Sequence, residues 1–262
     1  MNIEVLVSTM NQTSKFSIIK KLKIKNCVII NQITKNIKTI ADDTSTNQKF
    51  FSFEEKGLSK SRNKAIKYSS SKICLIADDD MYYVDDYEKI VETAFKENLN
   101  ADIIAFVVDN ENLNRRKKIL KEGKISLIRT MKLQSVQIAF RRESIISNNL
   151  SFDENFGAGS TYPWGEENIF LFDCIRKGLK VYYCPIKIAT LLDTGISSWD
   201  RENTKEHYMN QGAIYYRMSK VLYPILILQF VLRKRKIYSK DMTAFSVLKS
   251  MFKGAKKYKR SI

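Results

Sequence analysis

The sequence predicts an α/β protein: a mostly parallel central sheet flanked by helices, followed by a basic helical extension. Three observations carry this. Short apolar runs alternate with helix-period segments from Ile3 to Tyr183. Several of those runs are continuous rather than alternating, as in strands buried on both faces. The basic charge is uneven: of a net +17, +10 falls after Leu232.

The elements follow in order. Ile3 to Val7 is the first strand, ending at Ser8-Thr9-Met10-Asn11. Ser14 to Lys23 predicts a short Lys-rich helix. Cys27-Val28-Ile29-Ile30 is a second buried strand, ending at Asn31-Gln32. Thr34 to Asn47 reads as a short helix or a loop containing Asp42-Asp43. Phe50 to Phe53 is a third strand. Gly57 turns into a helix reaching Tyr68, with Ser59 as N-cap. Ile73 to Ala77 is the next strand. Tyr87, Ile90, Val91, Ala94 and Phe95 then recur at helical spacing, with Asp85 and Asp86 near the helix's positive end. Asp102 to Val108, Ile125 to Thr130, Val136 to Phe140 and Lys180 to Tyr183 read as strands, the last closed by Pro185. Asn110 to Lys124 reads as a loop over the sheet. Glu166 to Lys177 is a helix stopped by Gly178.

The chemistry concentrates where the Ile73 strand ends, in Asp78-Asp79-Asp80. Three adjacent carboxylates repel one another unless a cation sits among them. Ligands of open α/β sheets collect at the carboxyl ends of strands. A hard divalent cation carrying phosphates, Mn²⁺ or Mg²⁺, would satisfy such acids. The bland alternative is a solvated acidic turn.

Composition narrows the classes. A net charge of +17 calls for an anionic partner. Nucleic acid is not expected, because no recognised fold or RNA-binding aromatic motif accompanies the charge. One histidine, His207, excludes a histidine-based hydrolase triad; it lies in a helical stretch and reads as structural or surface. Cys27, Cys74, Cys174 and Cys184 show no metal spacing; three of them lie inside apolar runs and read as small buried hydrophobes, which suits a reducing, cytoplasmic compartment. No signal peptide and no apolar run of spanning length are evident.

Four landmarks recur in a fixed order: Val7-Ser8-Thr9-Met10-Asn11, Gly57 to Asn63, Ala77-Asp78-Asp79-Asp80, and Phe152-Asp153-Glu154-Asn155-Phe156-Gly157 leading to Gly165-Glu166-Glu167-Asn168. With them, the sequence from Met1 to Asp193 resembles the family 2 glycosyltransferases of the GT-A fold. The resemblance implies a nucleotide-diphospho-sugar donor, a UDP-sugar first, at the strand ends, with Ser8, Thr9 and Asn11 among its contacts. Asp78-Asp79-Asp80 resembles the DXD motif. Asp80 would then coordinate the metal bridging the donor phosphates, and Asp78 or Asp79 would contact ribose or sugar. Arg62 matches a basic residue expected to reach base or phosphate. Glu166-Glu167 matches the acidic pair whose second member deprotonates the acceptor hydroxyl. Which of the two glutamates is the base stays open. Tyr162 and Trp164 are acceptor-site candidates, since aromatic faces stack on sugar rings; loop packing is the alternative.

Two departures qualify the resemblance. Relatives usually carry an aspartate after the second strand to pair with a uracil-type base. Here Asn31-Gln32 offers amides instead, with Asp42-Asp43 as the other candidate. Many relatives also have a histidine after the last strand; here Asp193 is the nearest substitute.

The expected division is a catalytic domain over residues 1–215 and a basic tail over 216–262. In the tail, Met242, Phe245, Leu248, Met251 and Phe252 recur at helical spacing among Lys249, Lys253, Lys256 and Lys257. This reads as a basic amphipathic helix on an anionic membrane surface, or as a helix packed back on the protein. The resulting expectation is an inverting, metal-dependent glycosyltransferase. It would act at the inner face of the cell membrane on a glycan or lipid-linked acceptor, in surface polysaccharide synthesis. Nucleotidyl transfer to a sugar phosphate is the second expectation, although Ser8-Thr9-Met10-Asn11-Gln12 lacks the glycines of a phosphate loop. A non-catalytic membrane-bound scaffold is the third.

Overall fold

A computed structural model describes residues 2–35, 42–44, 47–111, 121–192 and 203–261. The chain divides into two compact units. The first comprises residues 1–154 and 166–195, the second residues 155–165 and 196–262.

Among the described residues the first unit has nine strands: β1 (Ile3–Met10), β2 (Cys27–Gln32), β3 (Gln48–Phe53), β4 (Ile73–Asp78), β5 (Met81–Tyr83), β6 (Ile103–Asn110), β7 (Gly123–Lys124), β8 (Ile138–Arg141) and β9 (Val181–Leu191). The order is β3-β2-β1-β4-β8-β6-β9-β5, with β7 also on β9. Strands β3, β2, β1 and β4 run parallel, as do β6 and β9; β8, β5 and β7 pair antiparallel. The helices are α1 (Lys15–Leu22), α2 (Leu58–Tyr68), α3 (Tyr87–Glu97), α4 (Leu127–Thr130), α5 (Arg142–Ser147) and α6 (Glu166–Arg176).

Each strand sends alternate residues to opposite faces, so the continuous apolar runs feed two cores. Val5, Val7, Ile29, Leu75 and Ala77 join Ile18 and Leu22 of α1 and Val91 and Phe95 of α3 on one side. Leu6, Val28, Ile30, Cys74 and Ile76 join Ala65 and Ile66 of α2 and Phe170 and Cys174 of α6 on the other. Burial pushes the Cys27 and Cys74 thiols up to about 12, as fits small core hydrophobes.

The strand order turns at β1: β2 and β3 lie to one side and β4 to the other. Such a switch leaves a crevice beyond the carboxyl ends of the two central strands. Register places Ser8 of β1 opposite Asp78 of β4 at that end.

Three expectations are corrected. Within the expected strand of residues 125–130, Leu127–Thr130 form the short helix α4, and Val136 lies in a 3-10 turn, Ser135–Gln137. That turn wins because Gln134 and Gln137 cap one another reciprocally. The last strand does not close at Pro185 but continues to Leu191. Proline is accommodated because the β6–β9 register slips: Ala105 pairs with Tyr183, whereas Val107 pairs with Lys187. Strand β5 was not anticipated; three residues carry no readable periodicity.

The second unit is helical: α7 (Lys205–Met218), α8 (Tyr223–Arg233), α9 (Arg235–Tyr238) and α10 (Ala244–Lys259). The expected boundary at residue 215 falls inside α7. The tail helix α10 is not a detached peptide, because it crosses α7 at two glycines. A Cβ on Gly212 would lie 1.9 Å from the Met251 carbonyl oxygen, and one on Gly254 would lie 1.8 Å from that of Met209. Of the expected stripe only Met251 is buried; the packed face of α10 is Val247, Met251, Gly254, Ala255 and Tyr258. Phe245 and Phe252 face outward. No helix among the described residues is long and apolar enough to cross a membrane.

The glycine crossing inverts an ordinary rule. Alanine for glycine inside a helix usually stabilises by about 1 kcal/mol. Gly254→Ala is expected instead to destabilise by about 1–3 kcal/mol, because the helices must separate. Denaturant unfolding measures it; equal or greater stability would mean that α7 and α10 do not meet there.

Candidate active site

The carboxyl ends of β1 and β4 carry Ser8, Thr9 and Asp78, with Asp79 and Asp80 in the turn to β5. Ser8 and Thr9 are buried. The Ser8 hydroxyl accepts a 2.8 Å hydrogen bond from Ser61 of α2, and the Thr9 hydroxyl donates to Asp79. Asn11 sits at φ 55, a left-handed conformation that asparagine tolerates. Its side-chain oxygen accepts from the Thr34 amide at 2.9 Å.

Arg62 is the hub of this region. It is only 2% exposed. Its Nη1 donates to Glu166 Oε1 at 2.8 Å, and its Nη2 donates to Asp78 Oδ1 at 3.1 Å and to Ser135 Oγ at 2.8 Å. Burial alone would lower the guanidinium pKa; the fields of Asp78, Glu166 and Glu167 overcome this and raise it. The neighbouring Asn63 clamps the Phe152 backbone, accepting from its amide at 2.8 Å and donating to its carbonyl at 2.9 Å. One turn of α2, Ser61 to Asn63, therefore ties together all four sequence landmarks.

Asp80 differs from its neighbours. One carboxylate oxygen, Oδ1, is buried with no hydrogen-bond partner. Burial first, and then the charges of Asp78 and Asp79, push its pKa above the usual carboxylate range. No group of three or more His, Cys, Asp or Glu side chains forms a metal cage among the described residues. A magnesium-type ion needs no such cage, since one or two carboxylates plus substrate phosphates commonly hold it. An orphaned hard oxygen beside two further acids fits that mode.

Glu166 and Glu167 open α6, both buried, in the first turn where helix amides favour negative charge. The Glu166 carboxylate is committed to Arg62. Glu167 Oε1 accepts from Asn168 at 3.1 Å and points about 100° further round the helix.

The sequence matches the family described as Glycosyl transferase family 2 over residues 3–157, more than half of the chain. The chain belongs to the family 2 glycosyltransferases. No curated protein matches it in sequence. Among solved structures, it is similar to TarS residues 1–349 from S. aureus, at 14% identity and TM-score 0.64, covering 97% of this chain and 81% of that one. The UDP-GlcNAc complex of the same TarS fragment matches at 15% identity and TM-score 0.62, covering 92% and 74%. A mannosyltransferase from Pyrobaculum calidifontis, in complex with GDP-Man and Mn²⁺, matches at 10% identity and TM-score 0.51, covering 99% and 75%. At these identities the likeness concerns the fold, a mixed α/β GT-A architecture.

Within this glycosyltransferase, some expected contacts are spent on the protein itself. Both terminal nitrogens of Arg62 are bonded within the protein, to Glu166, Asp78 and Ser135. Asn31 is fully buried, and its amide both accepts from and donates to the Gln12 backbone. Gln32 does the same at Gly57. Both amides therefore position loops. Asp43 pairs with Lys15, whereas Asp42 is exposed and accepts from the Ser52 amide at 2.9 Å. Asp193 lies outside the described residues. Tyr162 and Trp164 belong to the helical unit. Tyr162 stacks on Phe156 at 4.8 Å between ring centres and meets Tyr258 edge-on at 5.4 Å. It also lines an open groove of about 340 Å³ with Lys205, Glu206, Asn210 and Lys257. Trp164 stacks on His207 at 4.9 Å, which gives that histidine a structural post. Ser135 was missed, because a lone serine before an apolar run carries no signal. Ser61 was visible only as part of the Gly57–Asn63 landmark.

Replacing Arg62 with methionine keeps the bulk but strands two carboxylates. Arg62→Met is expected to cost about 3–5 kcal/mol in denaturant unfolding. The deficit should shrink as pH falls, since protonation removes the stranded charges. A loss below about 1 kcal/mol would contradict the hub.

Proposed function

We propose that the chain is an inverting glycosyltransferase. It moves a sugar from a nucleotide-diphospho-sugar, a UDP-sugar first, to a hydroxyl of a glycan or lipid-linked acceptor. The observation that carries this is the acid cluster at the β1/β4 switch, where Asp80 presents an unpartnered oxygen. The bound ligands of the structural relatives, UDP-GlcNAc in TarS and GDP-Man with Mn²⁺ in the mannosyltransferase, support a donor of this class.

In this mechanism Glu167 is the base. Glu166 is bonded to the buried Arg62 cation, and Glu167 holds the second position of the acidic pair, which the family resemblance gives to proton transfer. Its carboxylate takes the proton of the acceptor hydroxyl. The acceptor oxygen attacks the anomeric carbon as the bond from that carbon to the diphosphate oxygen breaks. The electron pair leaves with the nucleoside diphosphate, and a single displacement inverts the anomeric centre. Asp80 would hold the divalent cation, Mn²⁺ or Mg²⁺; when bound, that cation supplies neutralising charge to the leaving group. Asp78, fixed by Arg62, and Asp79, fixed by Thr9, would orient ribose or sugar.

The proposed setting is surface polysaccharide synthesis at the inner face of the cell membrane, with the protein held peripherally by its basic C-terminal helices. The +10 excess after Leu232 supports this.

Two variants test the roles. Glu167→Gln should lower turnover by about 10²–10⁴-fold with little change in donor affinity. Should Glu166→Gln instead lose turnover while keeping its fold, with Glu167→Gln nearly normal, the base is misassigned. Asp80→Asn should remove cation-dependent donor binding yet stabilise the ligand-free protein at neutral pH. The sign follows from the raised native pKa. Below the unfolded pKa, Asp80 is neutral in both states and costs nothing; above the native pKa its charge opposes folding in full. Unchanged cation-dependent donor binding in this variant would remove Asp80 from the site.

A further inference from the structure

We infer that the outward face of α8, with the basic run at its end, is the surface that seats on an anionic lipid membrane. The inference rests on the membrane attachment proposed above and moves its apolar contact from α10 to α8.

Helix α8 is apolar apart from Gln229 and the terminal Arg233. Leu226, Ile227 and Val231 are buried. On the other side Val221, Ile225, Leu228 and Leu232 are exposed by 81%, 64%, 49% and 75%. These four positions fall at i, i+4, i+7 and i+11, one continuous stripe along the helix and the turn before it. A soluble helix normally turns polar residues outward; along this stripe the outward residues are apolar. Ile237, on α9, adds a further exposed apolar side chain, and α9 is anchored by the Tyr238 hydroxyl donating to the Val231 carbonyl.

Charge selects the occupant. Arg233, Lys234, Arg235 and Lys236 are all exposed at the end of the stripe, and Lys220 and Lys240 flank it. No acidic residue occurs between positions 220 and 240. A second copy of the chain on this face would bring two such clusters together unneutralised. An interfacial helix combines apolar side chains at acyl depth with cations at headgroup depth. Helix α10 is the weaker candidate, since Met251 faces α7 and the Phe252 ring already meets Tyr223 at 6.1 Å.

The test uses the full chain and vesicles of phosphatidylcholine with or without phosphatidylglycerol, with melting temperature recorded for every variant. The wild type should co-sediment with the mixed vesicles and far less with phosphatidylcholine alone. Ile225→Glu with Leu232→Glu should weaken partitioning by about tenfold or more, whereas Phe245→Ser with Phe252→Ser should leave it nearly unchanged. Should the glutamates impair folding, replacing residues 233–236 by serine is the second variant, expected to abolish the preference for phosphatidylglycerol. Loss of binding in the α10 variant but not in the α8 variants would overturn the assignment to α8 and leave membrane attachment standing. A folded wild type that binds neither vesicle would overturn the attachment itself. A wild-type oligomer that the α8 variant dissolves, without vesicle binding, would make the face a contact between copies.

Discussion

Carboxylates from distant parts of the sequence converge beyond the carboxyl ends of β1 and β4, and one buried guanidinium holds two of them there. Arg62 bonds Asp78, at the end of a strand, and Glu166, at the start of a helix, while Ser135 fills a third position. Without that cation the buried carboxylate of Glu166 would be left unpaired beside the partly exposed Asp78, and such like charges relieve themselves by taking protons. Bonding Glu166 and Asp78 to Arg62 separates them from Glu167 and Asp80, the residues given proton transfer and cation binding in the proposed mechanism.

The same economy governs the loops. Asn31 and Gln32 end β2 at a place where a base-reading side chain was expected, yet each closes a pair of hydrogen bonds onto a neighbouring loop backbone. Asn63 does the same for the segment at Phe152. Amide side chains suit this work because they donate and accept together. These side chains are spent on architecture, whereas Asp80 Oδ1 is buried without a hydrogen-bond partner.

Much of this was legible in the sequence. The acid run was visible because an apolar strand stops abruptly at Asp78, and the strand–helix alternation gave the parallel sheet. The role of Arg62 was not legible: its partners lie 16 and 104 positions away, and helical spacing says nothing about contacts at that range. Helix α10 misled for a different reason. Its packed face relies on Gly254 and Ala255, which carry almost no hydrophobic signal, while exposed Phe245 supplies a strong one. A close glycine crossing is invisible to any argument that counts apolar residues.

The central claim is that the β1/β4 crevice binds a nucleoside diphosphate together with a divalent cation. Thermal unfolding of the wild-type protein with a panel of nucleotide-diphospho-sugars, each with and without Mn²⁺, tests it most directly, because a ligand that binds only the native state raises the melting temperature by mass action. The account predicts that at least one nucleotide raises the melting temperature, and that removing the cation abolishes most of the shift. A cooperative unfolding transition that no nucleotide sugar displaces, with or without Mn²⁺, would contradict it.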